Sequence, residues 1–497
     1  MTSHVAAVAR SRAVMLAIGA GILTSLAVAA PSYADAPSAG SACQASGKVT
    51  GRGATFQTDA QQLALIPGYR LDVCGPVPDA NGNDMVFYNY APGSNGLTGS
   101  GNGINAAKCR SDAFAGSDGP VTKQDVADTR VAPGAMPAAV LSACAALSDG
   151  IAPDLTPLYN PTPGPWPNAA DTLATFTPTG AQARTGAMQF PVAGASVAMG
   201  VNLTAANCPG LTAAPSINLT SSQASRIFGG LITSWNDPAL TTTSPNLASC
   251  PVAITRVVRL DKSGTTQTFK NYLGKADGAT VLCDGVNTWT ALKTDANNVV
   301  WPENPPANTC TPNQLQRAAT TGGPAVVTKV QATPGAIGYA DLADWGTPAV
   351  VQLANVAPAS APSGPTFLSP AAGTAANCTF AGATAPGTSA SDSVGVNPNT
   401  NIGWATDASP NKSDITFIGD GYPICGFTWD LVYVGLNHNG ASLTAISRLS
   451  DNQRRTLYSY FSYVFTPYAQ DRLAQNKYAK LPDALLAKFR AGFQQYF

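Results

Sequence analysis

Ile254-Thr255-Arg256-Val257-Val258-Arg259 reads as a strand, Asp261-Lys262-Ser263-Gly264-Thr265-Thr266 as a hydroxyl-bearing turn, and Gln267 to Leu273 as the start of a helix. A strand that feeds a helix through a short turn is a βα unit, and strands alternating with helices along the rest of the chain predict an α/β fold. Arg259 and Asp261 stand at the end of the strand, just before Ser263-Gly264-Thr265. A helix N-terminus leaves backbone N–H groups unpaired and carries partial positive charge. A guanidinium beside it adds a fork of donors for two oxygens of one anion, and Asp261 is placed to hold that fork still.

Two further turns have the same chemistry. Gly51-Arg52-Gly53-Ala54-Thr55-Phe56 precedes a helical stretch from Gln57 to Ile66, and Thr98-Gly99-Ser100-Gly101-Asn102-Gly103 leads into Ile104 to Cys109. Glycine lets an anion approach the backbone, and Ser or Thr adds a hydroxyl donor. Each turn alone is ordinary helix-capping chemistry. Three together suit one tetrahedral oxyanion. Asp118, which ends Phe114-Ala115-Gly116-Ser117-Asp118, adds a carboxylate that fits such a site only if the ligand carries a proton to donate.

The N-terminus predicts export. Arg10 and Arg12 precede an apolar stretch from Ala13 to Ala30, and Ser32-Tyr33-Ala34-Asp35-Ala36 offers an A-x-A-like cleavage site, so residues 1–36 read as a signal peptide. The first cysteine, Cys43, lies well past the apolar region, which favours a soluble mature protein over a lipid-anchored one. The 28 Lys+Arg balance 28 Asp+Glu, and only 11% of residues are charged, which argues against nucleic-acid binding. Ten cysteines with no C-x-x-C pair in an exported chain suggest disulfides rather than zinc. Pairing between sequence neighbours is expected, because Cys208/Cys250 and Cys283/Cys310 each bracket a loop-rich segment.

Enzymatic readings lose their usual parts. The chain holds two histidines, His4 in the signal region and His438 in the turn-like Gly435-Leu436-Asn437-His438-Asn439-Gly440. No G-x-S-x-G elbow, Walker A sequence or H-E-x-x-H occurs. No catalytic residue, metal site or cofactor is therefore expected, and the protein is read as a non-enzyme.

In collinear order, Gly53-Ala54-Thr55-Phe56, Gly99-Ser100-Gly101-Asn102-Gly103, Ala115-Gly116-Ser117-Asp118, Trp235-Asn236-Asp237-Pro238, Arg259 to Phe269, Pro334 to Tyr339 and Tyr422-Pro423-Ile424 resemble the substrate-binding protein of bacterial ABC phosphate importers. The resemblance implies a two-lobed periplasmic-binding-protein-like clamp, each lobe a mostly parallel sheet flanked by helices. Lobe I would be 43–192 plus 426–497 and lobe II 193–425, with crossings near Phe190-Pro191-Val192 and Tyr422-Pro423-Ile424. It also implies ligand contacts. Thr55 and Phe56 would donate backbone N–H, with the Thr55 hydroxyl added. Ser100 would donate through its hydroxyl, in preference to Ser94. Asp118 would accept the phosphate proton. Arg259, steadied by Asp261, would pair with the anion, and Ser263, Gly264 and Thr265 would close the cage.

The partners so implied are inorganic phosphate and an ABC permease complex, the protein itself being a monomer. The alternative is a secreted oxyanion-binding surface protein or scavenger without a transporter. Lys262 stands where such proteins often have Gly. The stretches 121–189, 283–310 and 345–421 are long and rich in Pro, Ala, Thr and Asn, and read as surface insertions.

Overall fold

Among the described residues, nine strands form one sheet around which the site is arranged. A computed structural model describes residues 47–74, 86–89, 98–109, 111–119, 121–122, 185–209, 211, 217–295, 297–303, 310–311, 314–346, 352–357, 366–380, 414–435 and 451–496, with single positions at 125, 138, 142, 144 and 145. The signal-peptide reading of 1–36, Ser94, His438 and most of the stretch 121–189 lie outside the described residues.

The strands are β1 (Val49–Gly53), β2 (Val86–Tyr88), β3 (Phe114–Ser117), β4 (Thr185–Val201), β5 (Thr255–Val258), β6 (Leu315–Arg317), β7 (Ala336–Asp341), β8 (Gln352–Leu353) and β9 (Cys425–Gly435). Their order is β2-β1-β3-β9-β4-β7-β5-β6, with β8 beside β4. β1 lies parallel to β2 and β3, and β5 lies parallel to β6 and β7. The α/β class and the parallel groups are as the sequence implied. The two groups are joined by an antiparallel pair, β9 and β4. β4 pairs with β9 up to Ser196 and with β7 from Val197 onward, so one continuous strand serves both groups.

Pro191 sits opposite Trp429 in that pair, and the register shifts between Thr428 and Trp429. Proline has no N–H to give to a ladder, so a bulge at this place is the expected response. It leaves Val192 as the extra residue and sets Thr428 opposite Ala193.

Each parallel group has its own aromatic packing. Phe114 of β3 meets Phe461 edge-on at 5.5 Å, and Phe461 in turn meets Phe190 at 5.0 Å. Phe461 belongs to α5 (Asp451–Val464), so the C-terminal helices cover the β1–β3 side. On the other side Phe269 stacks on Tyr339 at 4.4 Å and meets Phe228 edge-on at 4.7 Å. Those residues bring α3 (Gly264–Asp277) and α2 (Ser221–Phe228) onto β7. The helix α1 (Ser100–Cys109) lies over β1 and β3, and α4 (Gly323–Ala332) over β7.

Among the described residues, four disulfides join sequence neighbours: Cys109–Cys144, Cys208–Cys250, Cys283–Cys310 and Cys378–Cys425. No cysteine among the described residues is free. The expectation of purely superficial insertions is corrected at two places. Within 283–310, Trp289 and Trp301 are buried, and Trp289 Nε1 donates to the Ser225 carbonyl at 3.3 Å. Within 345–421, Trp345 is buried and donates to the Ala198 carbonyl at 3.0 Å, while Gln352–Leu353 joins the sheet as β8. Tryptophans buried with their N–H groups satisfied anchor these segments in the core, a signal that composition rich in Pro and Thr had masked.

Candidate functional site

The two strand–turn–helix units meet where their turns face each other. At the end of β5, Arg259 is almost wholly buried, with 2% exposure. Its Nε donates to Asp261 Oδ1 at 2.8 Å and its Nη2 to Oδ2 at 2.5 Å, a bidentate fork. Burial alone pulls the guanidinium's proton affinity down, but Asp261 more than offsets this, so Arg259 titrates above its ordinary value and stays charged. Its third nitrogen, Nη1, is buried without a hydrogen-bond partner among the described residues. Ser263 caps α3: its hydroxyl accepts from the Thr266 N–H at 3.3 Å. Thr266 Oγ1 is in turn 2.7 Å from the Tyr339 hydroxyl. The strand–turn–helix reading of residues 254–273 is met, with the helix beginning at Gly264.

From the other unit, Ser100 opens α1, and its hydroxyl donates to Asp118 Oδ2 at 3.2 Å while accepting N–H groups from Asp118 at 3.1 Å and Gly264 at 3.2 Å. Ser100 thus stitches the two units together. α1 begins at Ser100, four residues earlier than the sequence suggested, because the Gly-rich turn itself is helical. Glycine is needed there: a Cβ on Gly103 would lie 2.1 Å from the Gly116 carbonyl oxygen and 3.0 Å from Gly53 Cα. This close approach lets α1 sit down on β1 and β3.

Asp118 is 3% exposed and takes three hydroxyl groups. Besides Ser100, Thr265 donates to Oδ2 at 3.3 Å and Thr428 to Oδ1 at 3.3 Å. Burial pushes its carboxyl up to about 7, against the opposing pull of Arg259 and the three hydroxyls. A carboxyl poised there changes protonation state near neutral pH.

Thr55 follows β1. Its hydroxyl is buried and has no partner among the described residues. A Cβ on Gly322 would be 3.1 Å from its methyl group, and the Gly322 N–H donates to Asp261 Oδ1 at 3.4 Å, so this turn ties the Thr55 side to the Arg259–Asp261 pair. Phe56 is buried, its carbonyl accepting from the Tyr478 hydroxyl at 2.6 Å.

Thus Thr55, Ser100, Asp118, Arg259, Asp261, Ser263, Gly264 and Thr265 come together, with Phe56 directly behind Thr55. Sequence reasoning missed Thr428, which lies in an apolar strand with nothing local to mark it. It also gave no role to Tyr339, although the segment that contains it was among the matching ones, or to Asp344. Burial holds the Asp344 carboxyl well above its usual range, with Arg259 opposing and Asp59 and Asp118 adding to the rise. Among the described residues no cluster of His, Cys, Asp or Glu has the arrangement of a metal site.

Comparison with known proteins bears on the fold. Residues 168–388 match the model of the PBP superfamily domain. The phosphate-binding protein PstS of Xylella fastidiosa is 31% identical over 160 residues, covering 32% of this chain and 36% of that protein. Phosphate-binding protein PstS 3 of Mycobacterium leprae is 43% identical over 61 residues, covering 12% of this chain and 16% of that protein. The alignment with the first relative therefore spans about a third of its length. Among solved structures, a crystal structure of the phosphate binding protein from Stenotrophomonas maltophilia aligns with a TM-score of 0.51 and 20% identity over 89% of this chain and 93% of that one, a likeness of fold. The chain is thus similar over part of its length to phosphate-binding proteins, and its fold is periplasmic-binding-protein-like.

Proposed function

We propose that this protein captures inorganic phosphate between its two parallel strand groups, acting as lobes I (43–192 plus 426–497) and II (193–425) of a clamp, and delivers it to an ABC-type importer after export. It does so as a monomer and without enzymatic activity. The observation that carries this reading is a buried Arg259 Nη1 with no hydrogen-bond partner among the described residues, close enough to the buried carboxyl of Asp118 for the two charges to act on each other. The arginine supplies charge to an oxyanion, and the carboxyl accepts the proton that phosphate keeps at neutral pH.

Thr55 supports the reading with a second buried donor that has no protein partner among the described residues. The start of α3 turns its N-terminal end, with its partial positive charge, toward the anion, while the Gly264 N–H is held by Ser100. Asp261 keeps the guanidinium in plane and charged. Because Ser100 links Asp118 on one side to Gly264 on the other, ligand contacts on either side favour the closed arrangement. The phosphate-binding relatives and the paired cysteines, which form readily in an oxidising compartment, support the transport setting.

Equilibrium dialysis of ligand-stripped protein against radiolabelled phosphate tests the reading. One saturable site of micromolar affinity or better is expected, about −8 kcal/mol or lower. Absence of saturable binding would sink it. Co-purification with a membrane permease and ATPase separates an importer component from a free scavenger.

A further inference from the structure

The turn between β5 and α3 does more than present Arg259 and Ser263 to the cage. It also lies against the turn that opens α1, which belongs to the other strand group. A Cβ on Gly99 would sit 2.9 Å from Asp261 Oδ2, and Gly99 has φ = 106°, a conformation that suits glycine. A Cβ on Gly101 would lie 3.4 Å from Lys262 Cβ and 3.5 Å from its Cδ, so the lysine stem runs along the bare face of that glycine. Lys262 is half-buried there. A long side chain laid on a neighbouring surface removes its methylenes from water while its ammonium stays at the edge.

What the ammonium faces is set by α1 and the segment after β3. Ile104, Asp125 and Lys262 line both the cleft beside the cage and an outer hollow, lined also by Gly101, Asn105 and Lys108. These three residues therefore form the partition between cleft and hollow. Asp125 is buried, its Oδ1 pairing with Lys108 Nζ at 2.6 Å. Its Oδ2 accepts the Thr122 N–H at 2.9 Å and the Thr122 hydroxyl at 2.8 Å. Burial pushes the Asp125 carboxyl up, but Lys108, Thr122 and the charge of Lys262 together outweigh it and hold the group below its usual range. The stem of Lys262 thus rests on a glycine of the opposite group, and its charge acts on a carboxylate of that same group. Neither Gly101 nor Asp125 belongs to the cage.

We propose that Lys262 is a latch that holds the clamp shut over the bound ion, a residue that sets how long phosphate stays rather than how it is recognised. The latch rests on the phosphate reading above. Its contacts with Gly101 and Asp125 join the two strand groups, so they exist only while the groups are together, and they stabilise the closed form without touching the ligand. A ligand leaves a clamp by way of the open form. An interaction present only in the closed form therefore slows release and leaves capture nearly unchanged. Because the ammonium lies at a partly exposed edge, its share of the effect is screened by salt.

Release is measured by loading the protein with radiolabelled inorganic phosphate and chasing with unlabelled phosphate, and association by rapid mixing in the same buffer. Lys262→Met keeps most of the stem and drops the charge, whereas Lys262→Gly drops both. Release is expected to be about two- to fivefold faster in Lys262→Met and about five- to tenfold faster in Lys262→Gly, as for loss of a partly exposed charge pair and then of its packing. In about 0.5 M salt the Lys262→Met difference is expected to fall below about twofold. Asp125→Asn is expected to match Lys262→Met, and the double variant to add little to either. Unchanged release in both Lys262 variants, a change confined to association, or full additivity with Asp125→Asn overturns the latch.

Hydrogen exchange of α1, with and without phosphate, reads the same contacts independently of release. Faster exchange in Lys262→Gly than in the wild type is expected, and equal exchange under both conditions overturns the latch. A wild type without a saturable phosphate site, but with exchange that depends on Lys262, would sink the phosphate reading while supporting the latch between the two groups.

Discussion

The two sides of the site are built by different means. On the α3 side, Arg259, Asp261, Ser263, Gly264 and Thr265 fall within seven residues of sequence, and their mutual bonds are local: the bidentate pair at 2.8 and 2.5 Å and the Ser263 cap. On the other side, Thr55, Ser100 and Asp118 are spread over more than sixty residues. They are brought together by β1 pairing with β3 and by glycines that let α1 approach both strands. A local module keeps its geometry as long as one turn is intact. A dispersed one depends on the packing of a whole layer. Substitutions on the α3 side should therefore act on the ligand, and those on the β1–β3 side on ligand and fold together.

The largest expected effect on binding comes from the local side. Arg259→Ala leaves the oxyanion without its counter-charge and is expected to cost about 2–5 kcal/mol of phosphate affinity, roughly 30- to 5,000-fold. The same variant should lose little secondary structure, which circular dichroism would check. Near-wild-type affinity would show that the anion sits elsewhere.

Asp118→Asn probes the dispersed side, and its effect depends on pH. The Asp118 carboxyl titrates at about 7 when folded and near 3.8 when unfolded. Between those values the folded, ligand-free protein holds a proton that the unfolded chain has lost, so this group's contribution to stability falls as pH rises through that window. Asparagine does not titrate. The variant is therefore expected to lose that slope and, above pH 7, to exceed the wild type in stability by up to about 4 kcal/mol. Urea denaturation at pH 5 and pH 8 measures the difference, and equal gains at both pH values would contradict the assignment.

Gly264→Ala tests the seam between the two sides. Its Cβ would meet the Gly119 nitrogen at 2.1 Å and the Asp118 carbonyl carbon at 2.3 Å, so the turns must separate. The expected cost is about 1–3 kcal/mol, seen in phosphate affinity more than in melting temperature. The smallest effect is expected from Ser263→Ala, which removes one cap: about 0.5–2 kcal/mol of stability by denaturant midpoint.

The same contrast explains what the sequence made legible. The strand, turn and helix around Arg259 could be read because period, turn chemistry and charge all lie in one short stretch. The α/β class and the neighbour pairing of Cys208–Cys250 and Cys283–Cys310 were legible for similar local reasons. Thr428 was not. It reaches Asp118 from β9, 310 residues away in sequence, beside a bulge that answers Pro191. Only the paired strands reveal that placement. Trp289 and Trp301 were hidden in a stretch whose composition suggested surface, because burial depends on what the chain packs against and not on its neighbours in sequence.

The central claim is that a buried arginine and a proton-accepting carboxyl select a protonated oxyanion. Calorimetric titration of ligand-stripped protein at pH 8, with phosphate and then with sulfate, tests it most directly. At that pH phosphate still has a proton to donate to Asp118, and sulfate has none. A site built around a ligand's hydroxyl rejects an analogue lacking it by about 10⁴–10⁵. The expected result is one phosphate site of micromolar affinity or better, with sulfate weaker by roughly that factor. Sulfate binding within tenfold of phosphate would contradict the account.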